Sequence, residues 1–311
     1  MDQIYITDIK IDHVRHLKNI EIPLSENHMK HLIITGKNGS GKTSLLDALA
    51  RYIYLITRPD YFNEQTIECE NLYPADVGFG KNNLYKIEQR SKDEKGTSKR
   101  LLVYEKEISL QKTGVVIQFN ELAENTSSLF SQGKFVTAYY KADRIFKAQI
   151  PQHVEKVTLK KDYSIEETPR QDFVKYLLDL KMTQALAVTG GKKEKAEQIA
   201  AWFKNFDDLL KRIFDDDSVE LVFDEETFQF TIHMNDRDSF DFNTLSSGYA
   251  AVLDIVVDLI IRMESQSDRK FDFSVAGIVL IDEIGTHLHL ELQRKILSLI
   301  HISEPTRRSY I

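Results

Sequence analysis

The chain has 311 residues, 42% hydrophobic and 29% charged, with 48 acidic against 41 basic residues and a net charge of -7. That composition is ordinary for a globular chain, so disorder is not the default reading; it allows one large domain or two lobes, and leaves any nucleic-acid contact to a local basic patch rather than a global field. Cys69 is the single cysteine, so neither an intrachain disulfide nor a cysteine-based zinc site can form, which fits a reducing cytoplasm.

The opening segment alternates in the manner of a strand through Ile4 and Ile6, then through Ile9 and Ile11 with a change of parity that a bulge absorbs. A second run, 19–23, follows a short turn, and an N-terminal hairpin is expected. Asp8, Lys10, Asp12, Arg15 and Lys18 break up the apolar residues of this region, so it lacks the core of a signal peptide. Residues 31–35 read as a short apolar strand, followed by a glycine-rich turn and by a buried helix over 43–56.

From 57 to about 100 the chain is polar and irregular, and 91–100 reads as a solvated loop. Residues 101–110 and 115–122 flank a turn and read as a hairpin, with a further strand at 135–140; together they predict an antiparallel sheet beside the core. Helical spacing over 172–188 and 193–214, broken at Gly190 and Gly191, predicts a helical lobe. Strands at 221–223 and 228–233 predict another hairpin. The longest apolar run, 249–261, is interrupted by Asp254 and Asp258 and is too short to span a bilayer, so no membrane partner is expected. There is no internal repeat and no sustained heptad pattern.

Three motifs carry chemistry. Gly36, Lys37, Asn38, Gly39, Ser40, Gly41, Lys42 and Thr43 fit the Walker A pattern between a strand and a helix. The glycines turn backbone N–H groups inward around phosphates, the helix N-terminus adds its positive end, Lys42 neutralises β and γ phosphates, and Thr43 offers a hydroxyl to magnesium. Residues 278–283 are an apolar run ending in Asp282 and Glu283, the Walker B pattern of a buried parallel strand. Side chains diverge along a strand, so Asp282 is assigned to Mg2+ and Glu283 to the attacking water, with Lys42 the second catalytic group. Leu245, Ser246, Ser247 and Gly248 precede an apolar helix, and Ser246, Ser247 and Gly248 there make a second phosphate-binding element. No Asn-Lys-x-Asp motif for guanine is present.

The string 36–46, which adds Ser44 to the ATP-binding residues, the signature at 245–248 and the strand 278–283 resemble the nucleotide-binding core of the RecF, SMC and OLD-like ABC-type ATPases. The resemblance implies an α/β P-loop ATPase head with a mixed central sheet, an antiparallel β subdomain and a helical lobe. It implies a domain over 1–296, with a nucleotide core of about 1–60 and 240–296 and an inserted lobe of about 61–239. It also implies a homodimer that sandwiches ATP, each signature serine completing the partner's site. The wide separation of signature and Walker B and the long insert set the chain apart from transporter subunits.

The string 282–289, with His287 and His289, resembles ATPases of OLD, Septu and related anti-phage systems, which implies a nuclease or toxin effector as partner. A DNA-binding clamp in repair is the alternative, with Lys37, Lys81, Lys99, Arg100, Lys192, Lys193 and Lys195 as basic candidates. Tyr249 departs from the glutamine or glutamate usual after the signature, and Lys141, Asp143 and Arg144 are candidates for the polar contact of a Q-loop. Residues 297–307 resemble a translated sequencing adapter, so 297–311 are expected to be a non-native tail on a protein that continues beyond about residue 296.

Overall fold

A computed structural model describes residues 4–25, 27–58, 61, 112–121, 123–143, 147–235, 237–267, 271, 275–285, 288 and 292. The chain divides into two compact units, Met1–Ser131 and Gln132–Ile311. The expected readings at 91–100, 101–110 and 297–311 lie outside the described residues, as do Lys81, Lys99, Arg100, Arg144, His287 and His289.

In the first unit β1 (Ile6–Val14) and β2 (Leu17–Pro23) form the expected hairpin, closed by Arg15 and His16, with Arg15 at φ 55. β1 also pairs antiparallel with β3 (Val115–Phe119), and the ladder shifts register between Ile6 and Asp8, where the parity of the apolar residues changes. Ile9 and Ile11 of β1 and Val115, Val116 and Ile117 of β3 are buried. Helix α1 (Lys42–Ile56) packs Leu45, Ala48, Leu49, Tyr52, Ile53 and Ile56 inward, spacings that place them on one face. The Tyr52 hydroxyl donates to the Ile117 carbonyl at 3.1 Å and pins helix to sheet.

One expectation fails here, and one element was not foreseen. Residues 31–35 form no strand, and Ile33 is 70% exposed. An apolar run becomes a strand only with a ladder partner, and among the described strands none pairs with it. After β3 the chain turns into a helix, α2 (Ala123–Ser131), which buries only Ala123, Thr126, Ser127 and Phe130; a face this polar carries little periodic signal.

In the second unit β4 (Phe135–Tyr140) pairs in parallel with β7 (Ala276–Ile281), from Phe135 opposite Ala276 to Tyr140 opposite Ile281. This corrects the antiparallel assignment of 135–140. β4 is buried along almost its whole length, as a parallel strand covered on both faces must be.

A short 3₁₀ turn (Pro169–Asp172) leads into α3 (Phe173–Thr189), and α4 (Lys193–Phe214) follows the Gly190–Gly191 break. The hairpin of β5 (Glu220–Asp224) and β6 (Gln229–His233) and the long helix α5 (Ser247–Ser267) complete the unit. Its core is aromatic: Trp202, fully buried, stacks on Phe206 at 5.6 Å between centroids, and Phe206 lies 5.3 Å from Phe173. Among the described residues no helix is long and apolar enough to cross a membrane.

Candidate nucleotide site

The glycine-rich segment 36–43 sits in the first unit, at the N-terminus of α1. Gly39 (φ 80) and Gly41 (φ 91) take the left-handed backbone that glycine adopts without strain, and the Ser40 N–H closes the turn on the Lys37 carbonyl at 3.1 Å. Lys42 reaches back over the loop, its Nζ donating to the carbonyls of Gly36 at 2.8 Å and Lys37 at 3.1 Å. No side chain caps α1, and its first turn holds no acid. A helix N-terminus in that condition presents positive charge and backbone donors to an anion.

Two further features suit a phosphate. Ser40 Oγ is shielded from solvent and has no hydrogen-bond partner among the described residues. His16, on the β1–β2 turn, sets its Nε2 3.1 Å from the Ser40 carbonyl, and a Cβ added at Gly41 would lie 3.0 Å from the His16 ring. His16 was not legible as part of the site, since nothing in its spacing marks a turn residue as the prop of a loop more than twenty positions on.

The second unit holds the other two motifs. The Ser246 carbonyl accepts the Ala250 N–H at 2.9 Å, so the first turn of α5 begins at the signature, with Ser246 and Ser247 exposed and Gly248 buried. The preceding loop is self-braced: Asp241 Oδ1 accepts the N–H groups of Asn243 (2.8 Å) and Thr244 (2.9 Å). Asn243 then clasps Ala148, accepting its N–H at 2.8 Å and donating to its carbonyl at 3.1 Å.

At the end of β7, Asp282 is 3% exposed and Glu283 is exposed, so the adjacent acids face different surroundings. Glu283 has φ 47, a left-handed conformation uncommon for a residue with a side chain. The Asp282 N–H donates to the Tyr140 carbonyl at 2.8 Å, continuing the β4–β7 ladder one residue past the strand.

Beneath these ends lies a buried ionic network absent from the expected site. Asp258 of α5 accepts the Tyr140 hydroxyl at 2.8 Å and Arg262 Nε at 2.6 Å, and it faces the Arg170 guanidinium at 3.5 Å. Arg170 also pairs with Asp254, and Arg262 donates to the carbonyls of Tyr163 (3.1 Å), Ser164 (3.0 Å) and Glu167. Two arginines balance two aspartates, as a buried cluster requires. Burial, reinforced by the Asp258 carboxylate, holds the Tyr140 phenol well above its usual pKa, so it stays a donor. Burial works against the Arg262 charge, but Asp258, Tyr140 and Glu167 together outweigh it and raise its pKa. The signal was present in the spacing: Asp254, Asp258 and Arg262 recur every fourth residue along an apolar helix.

Anchoring phosphate through backbone donors and one lysine is the property of the P-loop NTPases, and the segment 36–43 has the sequence pattern of that class. A family model described as an AAA domain matches residues 8–238, well over half of the chain, and the chain belongs to this AAA-domain family. Membership points to ATP binding and hydrolysis. The match includes 36–43 and stops short of 245–248 and 278–283, so the signature and the acidic pair rest on their own geometry. No curated protein matches the sequence.

Proposed function

We propose that this chain is an ABC-type ATPase of the RecF, SMC and OLD-like group, working as a homodimer in a bacterial anti-phage or DNA-maintenance complex. The observation that carries the ATPase reading is the cradle at 36–43, where Lys42 folds over the loop, α1 begins uncapped, and Ser40 Oγ is left without a partner. The nucleotide core is assigned to about 1–60 and 240–296, with 61–239 inserted.

Within this reading Lys42 and the backbone of 36–44 hold the phosphates, and Ser246 to Gly248 serve the nucleotide of a second copy. Thr43 and Asp282 would hold magnesium, a hydroxyl and a carboxylate being the oxygen donors this ion takes, and bound there it would neutralise developing phosphate charge. Glu283, exposed beside buried Asp282, orients and deprotonates the attacking water.

Two variants test this. Lys42→Ala should abolish nucleotide binding, whereas Glu283→Gln should retain ATP, slow turnover by about a hundredfold or more, and accumulate dimers in light scattering. Normal turnover in Glu283→Gln would remove that residue as the base, and ATP binding by Lys42→Ala at the wild-type level would sink the cradle.

A further inference from the structure

The segment that leaves β4 touches both functional ends of the second unit. At its start, Tyr140 accepts the Asp282 N–H with its carbonyl and donates its hydroxyl to Asp258 on α5, each at 2.8 Å. Eight positions on, Ala148 is clasped twice by Asn243 in the loop that leads into the signature. The acid-bearing strand end is thus fastened at residue 140 to the helix that begins at the signature, and the loop before that helix is fastened at residue 148.

The fastening is stiff at the Tyr140 end. Asp258 cannot swing away, because Arg262 Nε and the Arg170 N–H (3.4 Å) hold it from other sides, and Arg262 is itself fixed to the carbonyls of 163, 164 and 167. Inside a low-dielectric core, leaving any member of such a network unpaired is costly, so it shifts as a body. The Asn243 end is different. Asn243 is exposed, and its clasp is two neutral hydrogen bonds, each of modest net worth. Of the two fastenings this is the one more easily displaced.

We infer that Tyr140 and Asn243 are positioning residues that couple the signature at 245–248 to the carboxylate of Asp282, so that engagement of the signature sets the strand end for hydrolysis. The inference builds on the ATPase reading above, but the coupling is a property of the fold and is measurable without nucleotide. Tyr140→Phe removes one oxygen and keeps the buried ring; Asn243→Ala removes the clasp at an exposed site. Both lie in the second unit, whereas Lys42 and the loop 36–43 belong to the first.

The test is peptide-resolved hydrogen exchange on the intact chain without ligand, followed by ATPase kinetics. Tyr140→Phe should speed exchange at 245–250 by about tenfold, and Asn243→Ala should do the same at 281–283, each variant loosening the end it does not contact. Exchange at 176–178 in the core of α3 should stay at the wild-type rate. In turnover, both variants should lose about tenfold in kcat while their affinity for ATP stays within about twofold of wild type.

Variants that loosen only their own ends overturn the coupling, and so does acceleration spread through α3, which marks simple destabilisation. A wild type without ATPase activity overturns the function proposed above, while the cross-effects in exchange still decide the coupling. An unchanged kcat in both variants, in an active enzyme, removes their positioning role.

Discussion

The Nε2 of His16 lies 3.1 Å from the Ser40 carbonyl oxygen, so the turn of the first hairpin props the loop that feeds α1. The prop leaves little room for a side chain at residue 41, where φ is 91 and a Cβ would lie 3.0 Å from the imidazole. Gly41→Ala therefore carries two separable penalties. The left-handed backbone costs about 1–2 kcal/mol for any residue with a Cβ, and the ring must move. Adding His16→Ala relieves the second penalty alone. Urea unfolding should show the single variant destabilised and the double variant partly restored, while fluorescent-nucleotide binding stays impaired in both. Full recovery of stability in the double variant would show that the backbone at 41 carries no strain.

Arg262 is 2% exposed and donates to four partners, one of them the Asp258 carboxylate. Arg262→Ala leaves that carboxylate buried and three carbonyls short of a donor, and removing one partner of a buried pair costs about 3–5 kcal/mol. Trp202, the only tryptophan, is buried in the same unit, so its fluorescence reports unfolding there directly. The midpoint in urea should fall sharply in Arg262→Ala and only modestly in Tyr140→Phe, where Arg262 still compensates Asp258. Equal shifts in the two variants would mean that the hydroxyl matters as much as the charge.

Asp207 of α4 gives a test of sign. Burial raises its pKa above the ordinary carboxylate value, Glu220 adds to the rise, and the Leu221 N–H, Lys211 and Lys181 oppose it. A native carboxyl with a raised pKa binds its proton before the unfolded chain does. Its charged form therefore costs stability at neutral pH, and the cost disappears as pH falls below the unfolded carboxylate range. Asn keeps an oxygen to accept the Leu221 N–H, which Asp207 Oδ1 accepts at 3.0 Å. Asp207→Asn should raise Tm at neutral pH by roughly 1–3 °C, the group being half-exposed, with no gain left in acid. A gain that grows on acidification would reverse the sign.

How far these features were legible depended on whether they lie in local spacing. The helices α1, α3, α4 and α5 announce themselves by apolar periodicity, and the glycines at 36, 39 and 41 by a backbone only glycine takes easily. Partners across the chain do not. The strand at 135–140 is visible as an apolar run, yet that its neighbour is 276–281, in parallel, depends on residues more than a hundred positions away. The same holds for 31–35, apolar enough for a strand but without a described ladder, and for Tyr140, whose role lies in what its carbonyl and hydroxyl meet. Asp254 and Asp258 were visible as interruptions of an apolar helix, although a charge in such a helix does not by itself reveal its partner.

Glu283 stores strain where the chemistry is assigned. At φ 47, an ordinary side-chain-bearing residue occupies a backbone region that glycine enters freely, at the point where the chain leaving β7 turns outward after buried Asp282. Strain held at a functional position commonly persists because the side chain is needed there. Glu283→Gly should therefore separate stability from activity. Relief of the left-handed backbone favours the folded state, while the greater freedom of glycine in the unfolded chain takes some of that back, leaving a net gain of up to about 1 kcal/mol. Hydrolysis should be lost as completely as in Glu283→Gln, since both lack the carboxylate. Comparing the two variants by thermal unfolding and single-turnover hydrolysis decides the matter: Glu283→Gly should be the more stable and Glu283→Gln no more active. If glycine lowers stability instead, the backbone at 283 is held by contacts of the glutamate side chain, and its conformation owes nothing to catalysis.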